Sequence, residues 1–532
     1  MKKEIQKLIQ AAIKSSLGID FELEKIKIDY PPEGMGDFAT NVALVLGNVV
    51  GKNPMKVAEG IKGGIQSDSL HEIEIAKPGF MNFYLKDKPL QLVVVKINEE
   101  KNKFGNSEAG AGKKIHLDFV SANPTGPIHV GNARGGPLGD TLANVFEKTG
   151  YEPYREYYVN DTGNQTDILG HSVLGDSEAQ YSGDYIQELN SKFKIQNSKL
   201  LEEKNARAIG EKAAEIVLDD IIKPSMEKFG IKFDNYFSEK KLQKSGRVDE
   251  VLNILKERGF IYEKDGAVWF KSTEFGDDKD RAVVKSNGEK TYFGADIAYH
   301  IEKIERGFEK LIDIWGADHH GEVTRTQGAL KALEYENKLE VILTQFVRVL
   351  KNGKEMKMSK RAGTYVSVDD LIDEVGKDAT RFFFLLHSAD THMNFDLDLA
   401  KEKSEKNPVY YVQYAHARIS SILRKADDLK SDLRSVLRYE LRKMHEKERV
   451  LIFELLKFPD LVEEVSQNYA VHYLPQYVMR LADKLHNFYE QCRVIDESDL
   501  ETTAWRLEII KAAQIVLAET LRLMGITAPS RM

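Results

Sequence analysis

One cysteine, Cys492, stands in 532 residues, so an internal disulfide is excluded and no thiolate metal cluster can be assembled. Long apolar runs are missing too: stretches such as "LANVF" and "RFFFLL" fall far short of the roughly 20 residues that a membrane-spanning helix needs. The opening "MKKEIQKLIQAAIKSSLGI" starts basic, as a secretion signal does, but Glu4, Gln6, Lys7 and Lys14 interrupt any apolar segment. Ile5, Leu8, Ile9, Ala12 and Ile13 recur there at helical spacing, which predicts an amphipathic surface helix. Positive charge is not in excess either. The net charge is -8, and the acidic surplus falls in the first 400 residues, leaving the C-terminal part near neutrality. There is no repeat of 20 to 50 residues and no long low-complexity tract. The expectation is a cytoplasmic protein with no membrane partner.

What is present is length and rhythm. At about 100 to 200 residues per domain, the chain has room for three or four units. The small, polar, glycine-rich stretch "NKFGNSEAGAGKK", residues 102 to 114, reads as a linker closing an N-terminal α+β domain, 1–105, that mixes helical patterns with short strands such as "FMNFYL". From 112 to 400 strands and helices alternate. "IHLDFV", "YREYYV", "LIDIWG" and "LEVILTQFV" read as strands, and residues 131 to 149, "DIAYHIEKIERG" and "VTRTQGALKALEY" as helices. Such alternation predicts an α/β fold with a mainly parallel, doubly wound sheet. Residues 161–280 break the rhythm as a largely helical insertion. After "KEKSEKNPVY" the chain reads as long helices, an all-α bundle over 405–532. Its segment "SVLRYELRKMHEKER" could offer a basic face to nucleic acid, but such a run is more often a solvated helix face.

In a doubly wound sheet, ligands lie beyond the carboxyl ends of the strands. The stretch "SANPTGPIHVGNARGG", residues 121 to 136, follows the first strand and occupies that place. It lacks the G-x-G-x-x-G spacing of a dinucleotide site, while "GAGKK" near residue 112 lacks the Ser or Thr of a phosphate loop and precedes its strand. A helix beginning near Val130 still points free N–H groups and its positive dipole end at the strand ends, which favours an anion. His129 and Asn132 can add side-chain donors, and Gly131 lets a base or ribose approach the backbone. A lone H-x-G is far more often a buried histidine with packing glycines. Far downstream, "MKMSKRAGTYVSVDDLI" places Lys357 and Lys360 around Met358 and Ser359 in a loop-like composition. Alone this is usually a solvated loop; paired with the histidine turn at the opposite end of one alternating sheet it is a specific signature.

"HVGN" resembles the HIGH signature and "KMSK" the KMSKS signature of class I aminoacyl-tRNA synthetases. The surrounding phrases "GDFATNVAL", "AKPGFMNFYL", "REYYVNDTGNQ", "YFGADIAYH", "GADHHG", "NPVYYVQYAHAR" and "MGITAPSRM" are similar to the arginyl-tRNA synthetase family over nearly the whole chain. One departure is Asn132, where the family signature usually ends in a second histidine; an amide donates a hydrogen bond but carries no positive charge.

The resemblance implies a Rossmann-like core and a two-step reaction. The carboxylate of L-arginine attacks the α-phosphate of ATP, then the terminal adenosine of tRNA(Arg) accepts the arginyl group. Implied for ATP and catalysis are His129, Gly131, Asn132, Lys357, Met358, Ser359 and Lys360, with Mg2+ bound through the substrate and no metal site in the protein. Implied for arginine are Asp118, Ser121, Asn123, Tyr292, Asp296 and His319, with Asp318 beside it; a guanidinium needs such oxygens, and Asp296 is the expected partner. Capping is the ordinary use of Asp118 and Asp296. "GADHHG" is a poor zinc motif. Tyr411 and Tyr414 are implied to meet anticodon bases, although aromatics at i and i+3 are as often core. A monomer is expected. A synthetase for another amino acid, a small-molecule adenylyltransferase and a synthetase-like RNA-binding protein without catalysis remain as alternatives.

Overall fold

Residues 1–356, 366–426 and 443–532 are described in the computed structural model. The chain divides into two units. One comprises Met1–Phe104 with Ile419–Phe458 and Asp483–Val516; the other comprises Gly105–Arg418 with Pro459–Ala482 and Leu517–Met532.

In the first unit the expected N-terminal helix runs Lys2–Leu17 and buries Ile5, Ile9, Ala12 and Ile13, one stripe of a 3.6-residue period. Strands β1 (Phe38–Thr40), β2 (Leu70–Ala76) and β3 (Phe80–Leu85) form an antiparallel sheet in the order β1-β3-β2. Helix Glu446–Leu456 packs on helix Asp87–Glu100, where Arg449 Nη1 and Nη2 reach Asp87 at 3.2 Å and Asp37 at 2.5 Å. Cys492 is buried, 3.3 Å from His445 Nδ1.

In the second unit, walking along the chain, the strands are β4 (Lys114–Asp118), β5 (Glu152–Val159), β6 (Asn235–Ser238), β7 (Ile261–Lys264), β8 (Ala267–Phe270), β9 (Arg281–Val284), β10 (Lys310–Gly316), β11 (Leu339–Thr344), β12 (Val347–Lys351), β13 (Lys354–Glu355) and β14 (Met393–Asp396). A five-stranded parallel sheet takes the order β11-β10-β4-β5-β6, so the topology switches beside β4. Its core centres on β10, β11 and the helices Arg247–Glu257, Tyr292–Glu305 and His320–Ala332, joined by Val251, Leu255, Ile297, Ile301, Leu311 and Leu330. Each such side chain fully buried contributes about 1.5 to 3 kcal/mol.

The insertion is largely helical, as expected, and also carries β6, which joins the main sheet, and β7 and β8, which form a small antiparallel sheet with β9. One expectation changes. The run "LEVILTQFV" is not one strand. It breaks at Gln345 and Phe346, where the chain leaves the five-stranded sheet for a second one of order β13-β12-β14. The described residues beyond 405 form only helices and connections, among them Pro408–Lys425, Tyr473–Gln491 and Leu500–Leu523. Among the described residues no helix is long and apolar enough to cross a membrane.

Candidate active site

The carboxyl end of β4 opens into a turn with two consecutive non-glycine residues in the left-handed region, Val120 at φ 68° and Ser121 at φ 38°. Each such residue costs on the order of 1 to 3 kcal/mol and persists only where neighbours fix it. Ser121 supplies the fixing: its Oγ donates to Asp118 Oδ1 at 2.5 Å and accepts from the Tyr158 N–H at 3.0 Å. The strained turn thereby opens over a cavity of about 460 Å³, within the range of small-molecule sites.

Asp118, Ser121, Asn123, Asn132, Tyr292, Asp296, Asp318 and His319 all line this cavity. His129 lines an adjoining recess with Tyr181 and Tyr185, and Ala122, Asn123 and Asn132 border both spaces. Asn132 therefore stands at the seam between the histidine and the larger cavity.

His129 is the N-cap of the helix Val130–Ala133, its Nδ1 accepting from the Gly131 N–H at 3.0 Å. An accepting Nδ1 places the ring proton on Nε2, so the imidazole presents a donor there. The residues on either side of His129 bind the segment that follows the lysine stretch: Val130 N–H donates to Val366 at 3.1 Å and Val368 N–H donates to Ile128 at 2.9 Å. Lys357, Met358, Ser359 and Lys360 lie outside the described residues.

The cavity floor is a buried ionic lattice of residues that sequence reading largely missed. Lys303, fully buried, donates to Asp118 Oδ2 and to both Asp313 oxygens at 3.1 Å. His300 Nε2 lies 2.9 Å from Asp313 Oδ2, while its Nδ1 lies 2.8 Å from the Asp296 carbonyl and 3.3 Å from Asp296 Oδ1. Burial alone would lower the His300 pKa, but the Asp296 charge and the hydrogen bonds to Asp296 and Asp313 push it up to about 10. Burial likewise works against ionised Asp296, yet His300, Thr326 and Lys303 together hold its carboxyl below the usual carboxylate range. Asp296 Oδ2 accepts from Thr326 Oγ1 at 2.9 Å, and Tyr299 Oη donates to Asp118 Oδ2 at 3.0 Å. Both expected pocket carboxylates are thus already engaged by protein groups.

Glu239 differs. It is 1% exposed, lines the cavity, and makes no ion pair among the described residues. Its partners are neutral: Gln243 Nε2 donates at 2.7 Å, and with the Asn160 amide turned to satisfy both of its atoms, that nitrogen donates at 2.9 Å. Burial, reinforced by the nearby charges of Asp161 and Asp296, pushes its pKa up to about 7. The floor holds four carboxylates, Asp118, Asp296, Asp313 and Glu239, against two cations, Lys303 and protonated His300. With Glu239 ionised two positive charges are wanting, and with Glu239 protonated one is. At the rim Arg325 and Glu322 pair with each other, and Glu322 also meets His319 Nδ1 at 3.1 Å.

Glu239 directly follows β6, so its signal was that strand's identity as a member of the main sheet, hidden in the short and polar "NYFS". Asp313 carried a plainer signal, a carboxylate inside the otherwise apolar "LIDIWG". Tyr411 and Tyr414 do not line the cavity; they sit on helix Pro408–Lys425, where Tyr414 is 41% exposed and stacks on Tyr410 at 6.4 Å.

Comparison with known proteins extends over the same elements. The family model described as "tRNA synthetases class I (R), catalytic domain" matches residues 93–396, the arginyl tRNA synthetase N terminal domain matches 3–85, and the DALR anticodon binding domain matches 412–532. The arginine–tRNA ligase of Geobacillus kaustophilus is 43% identical over 551 residues, covering 100% of this chain and 98% of the relative. That of Bacillus licheniformis is 41% identical over 547 residues, covering 99% and 98%. Among solved structures, the arginyl-tRNA synthetase of Thermus thermophilus superposes with a TM-score of 0.77 at 21% identity, covering 100% of both chains.

Proposed function

The chain belongs to the arginyl-tRNA synthetases and joins arginine to tRNA at the expense of ATP; from that premise we propose how its residues divide the work. Glu239, with Asp296 beside it, receives the guanidinium of L-arginine, and Asp118 with Ser121 and Asn123 receives the α-ammonium end. The observation that carries this reading is the charge deficit of the floor. Arginine brings two cationic groups to a floor that lacks positive charge, and the planar guanidinium offers five donors to the Glu239 oxygens, whose partners are neutral. Tyr292 and His319 close the rim around it. An uncharged amino acid would leave Glu239 buried without a counter-charge, which costs about 1 to 3 kcal/mol or more.

The carboxylate of the bound arginine then faces the seam at Asn132. Its oxygen forms the new bond to the α-phosphorus of ATP while the bond to pyrophosphate breaks, with charge spreading over the phosphoryl oxygens. His129 Nε2–H, the Gly131 backbone and the Asn132 amide are the fixed donors on one side of that phosphorus. Lys357 and Lys360, with Met358 and Ser359 between them, supply further ammonium donors to the same phosphates. Mg2+ enters with the nucleotide, held by phosphate oxygens and water. Tyr411 and Tyr414 receive unstacked anticodon bases of tRNA(Arg), and a cytoplasmic monomer is the working form.

The test is ATP–pyrophosphate exchange with purified protein and tRNA across the amino acids. Exchange dependent on arginine alone is expected, and His129→Ala should lower its kcat by about 10² to 10³, the loss typical of one preorganised anion donor. Equal exchange with glutamate or cysteine defeats the pocket assignment. An unchanged kcat in His129→Ala defeats the donor assignment.

A further inference from the structure

Arg134 follows the H-x-G-N turn by two residues and is only 1% exposed, yet no carboxylate lies within ion-pair distance of it among the described residues. Its guanidinium spends its hydrogen bonds on backbone instead. Nη1 donates to the carbonyls of Gln345 and Thr391, and Nη2 donates to that of Ser388, all at 2.8 Å. The Nε–H has no hydrogen-bond partner among the described residues. Burial pushes the guanidinium pKa down to about 10, so holding this charge is costly. An apolar side chain of similar length would fill the volume without that cost. What it could not do is bind three carbonyls from two separate segments in one plane.

Those carbonyls sit at one place in the topology. Gln345 is at the break between β11 and β12, where the chain leaves the five-stranded sheet, and Ser388 and Thr391 lie just before β14. The Gln345 N–H also donates to Ala389 at 2.9 Å, so the two segments form one joint. The β12–β13 hairpin begins at this joint and ends at Glu355, two positions before Lys357. On the far side of the lysine stretch, Val366 and Val368 are already bonded to Val130 and Ile128. Both flanks of the lysine stretch are thus fastened to the element that carries His129: one through the backbone pairs, the other through Arg134.

We infer that Arg134 is a positioning residue for the activation step, setting the spacing between the His129 donor group and the β12–β13 hairpin that precedes Lys357 in the chain. This rests on the assignment of those groups to ATP, but not on the assignment of the arginine pocket. Loss of the spacing misplaces donors without touching the amino-acid site, and a misplacement of about 1 Å costs on the order of 10²-fold in rate.

The experiment compares Arg134→Lys with the wild type in arginine- and tRNA-dependent ATP–pyrophosphate exchange, alongside the rise in Tm that saturating arginine produces. Expected is a fall in kcat of about 10- to 100-fold, with the KM for arginine held within about two-fold and the arginine-induced Tm rise intact. Combined with His129→Ala, the variant should add little to the loss from His129→Ala alone, because both act on one donor set. If Arg134→Lys does not fold, Arg134→Gln, which keeps a planar two-hydrogen donor, takes its place. Wild-type kcat in the variant overturns the inference, as do additive losses in the double variant. A parallel collapse of kcat and of the arginine-induced Tm rise, or failure of both variants to fold, shows a role in the fold alone and overturns it too. Exchange by the wild type with other amino acids would instead strike the pocket assignment and leave the Arg134 inference standing.

Discussion

Glu239 concentrates the electrostatics of the pocket in one side chain. Its folded pKa of about 7 stands above the ordinary value of 4.5, so the unfolded chain gives up this proton first as the pH rises. The ligand-free fold therefore loses stability between pH 4.5 and pH 7, by about 3 kcal/mol on the scale of 1.36 kcal/mol per pKa unit, and the penalty is constant above that. Arginine reverses the sign, because its guanidinium favours the ionised carboxyl. Thermal unfolding with and without arginine should show a larger ligand-induced rise in Tm at pH 8 than at pH 6; equal rises would remove Glu239 from the pocket. Glu239→Gln separates the two effects further. Without arginine it should be more stable than the wild type at pH 8 and indistinguishable at pH 4.5, while its KM for arginine rises about 10- to 100-fold through loss of a charged hydrogen-bond acceptor. The family resemblance pointed to Asp118 and Asp296 and left Glu239 out. The side chain's importance comes from what does not accompany it, a cation, and the absence of a partner in space leaves no trace along the chain.

Strand ends and one helix face do the assembling. Helix Tyr292–Glu305 carries Tyr292, Asp296, Tyr299, His300 and Lys303, residues spaced at three, four and seven along one side, and delivers all of them to the ends of β4 and β10. Lys303 is the pivot: two buried carboxylates, Asp118 and Asp313, depend on its ammonium. Lys303→Met should cost about 3 to 5 kcal/mol in denaturant unfolding, since removing one partner leaves charge buried without compensation. A loss below about 1 kcal/mol would mean that water or protons already neutralise the lattice. Periodicity revealed that helix and the strands it serves, because apolar residues at 3.6 and in short runs report burial directly. It hid β6, whose four residues are only half-buried and polar enough to resemble the insertion around them. It also fused β11 with β12, since "LEVILTQFV" stays apolar through the Gln345–Phe346 break; hydrophobicity reports that a strand is buried, not which sheet it joins.

At the scale of the whole chain, the composition breaks near 102–114 and 401–410 stand out because such stretches shed apolar residues, whereas the grouping of 419–458 and 483–516 with the N-terminal residues in one unit left no mark: long-range pairing of helices has no local signature. The anticodon assignment can be tested independently of the cavity. Tyr414, exposed and stacked on Tyr410 at 10° between ring planes, presents a π-face on a helix of the DALR region. Stacking of one unpaired base on such a face is worth about 1 to 3 kcal/mol, so Tyr414→Ala should raise the KM for tRNA by about 5- to 150-fold. The arginine-induced rise in Tm should not change, since Tyr414 does not line the cavity beyond β4. Tyr414→Phe keeps the ring and should restore the KM for tRNA. If Phe fails where Tyr succeeds, the hydroxyl and not the ring face is what the tRNA reads, and if Ala binds tRNA as well as the wild type does, Tyr410 and Tyr414 pack for the helix alone.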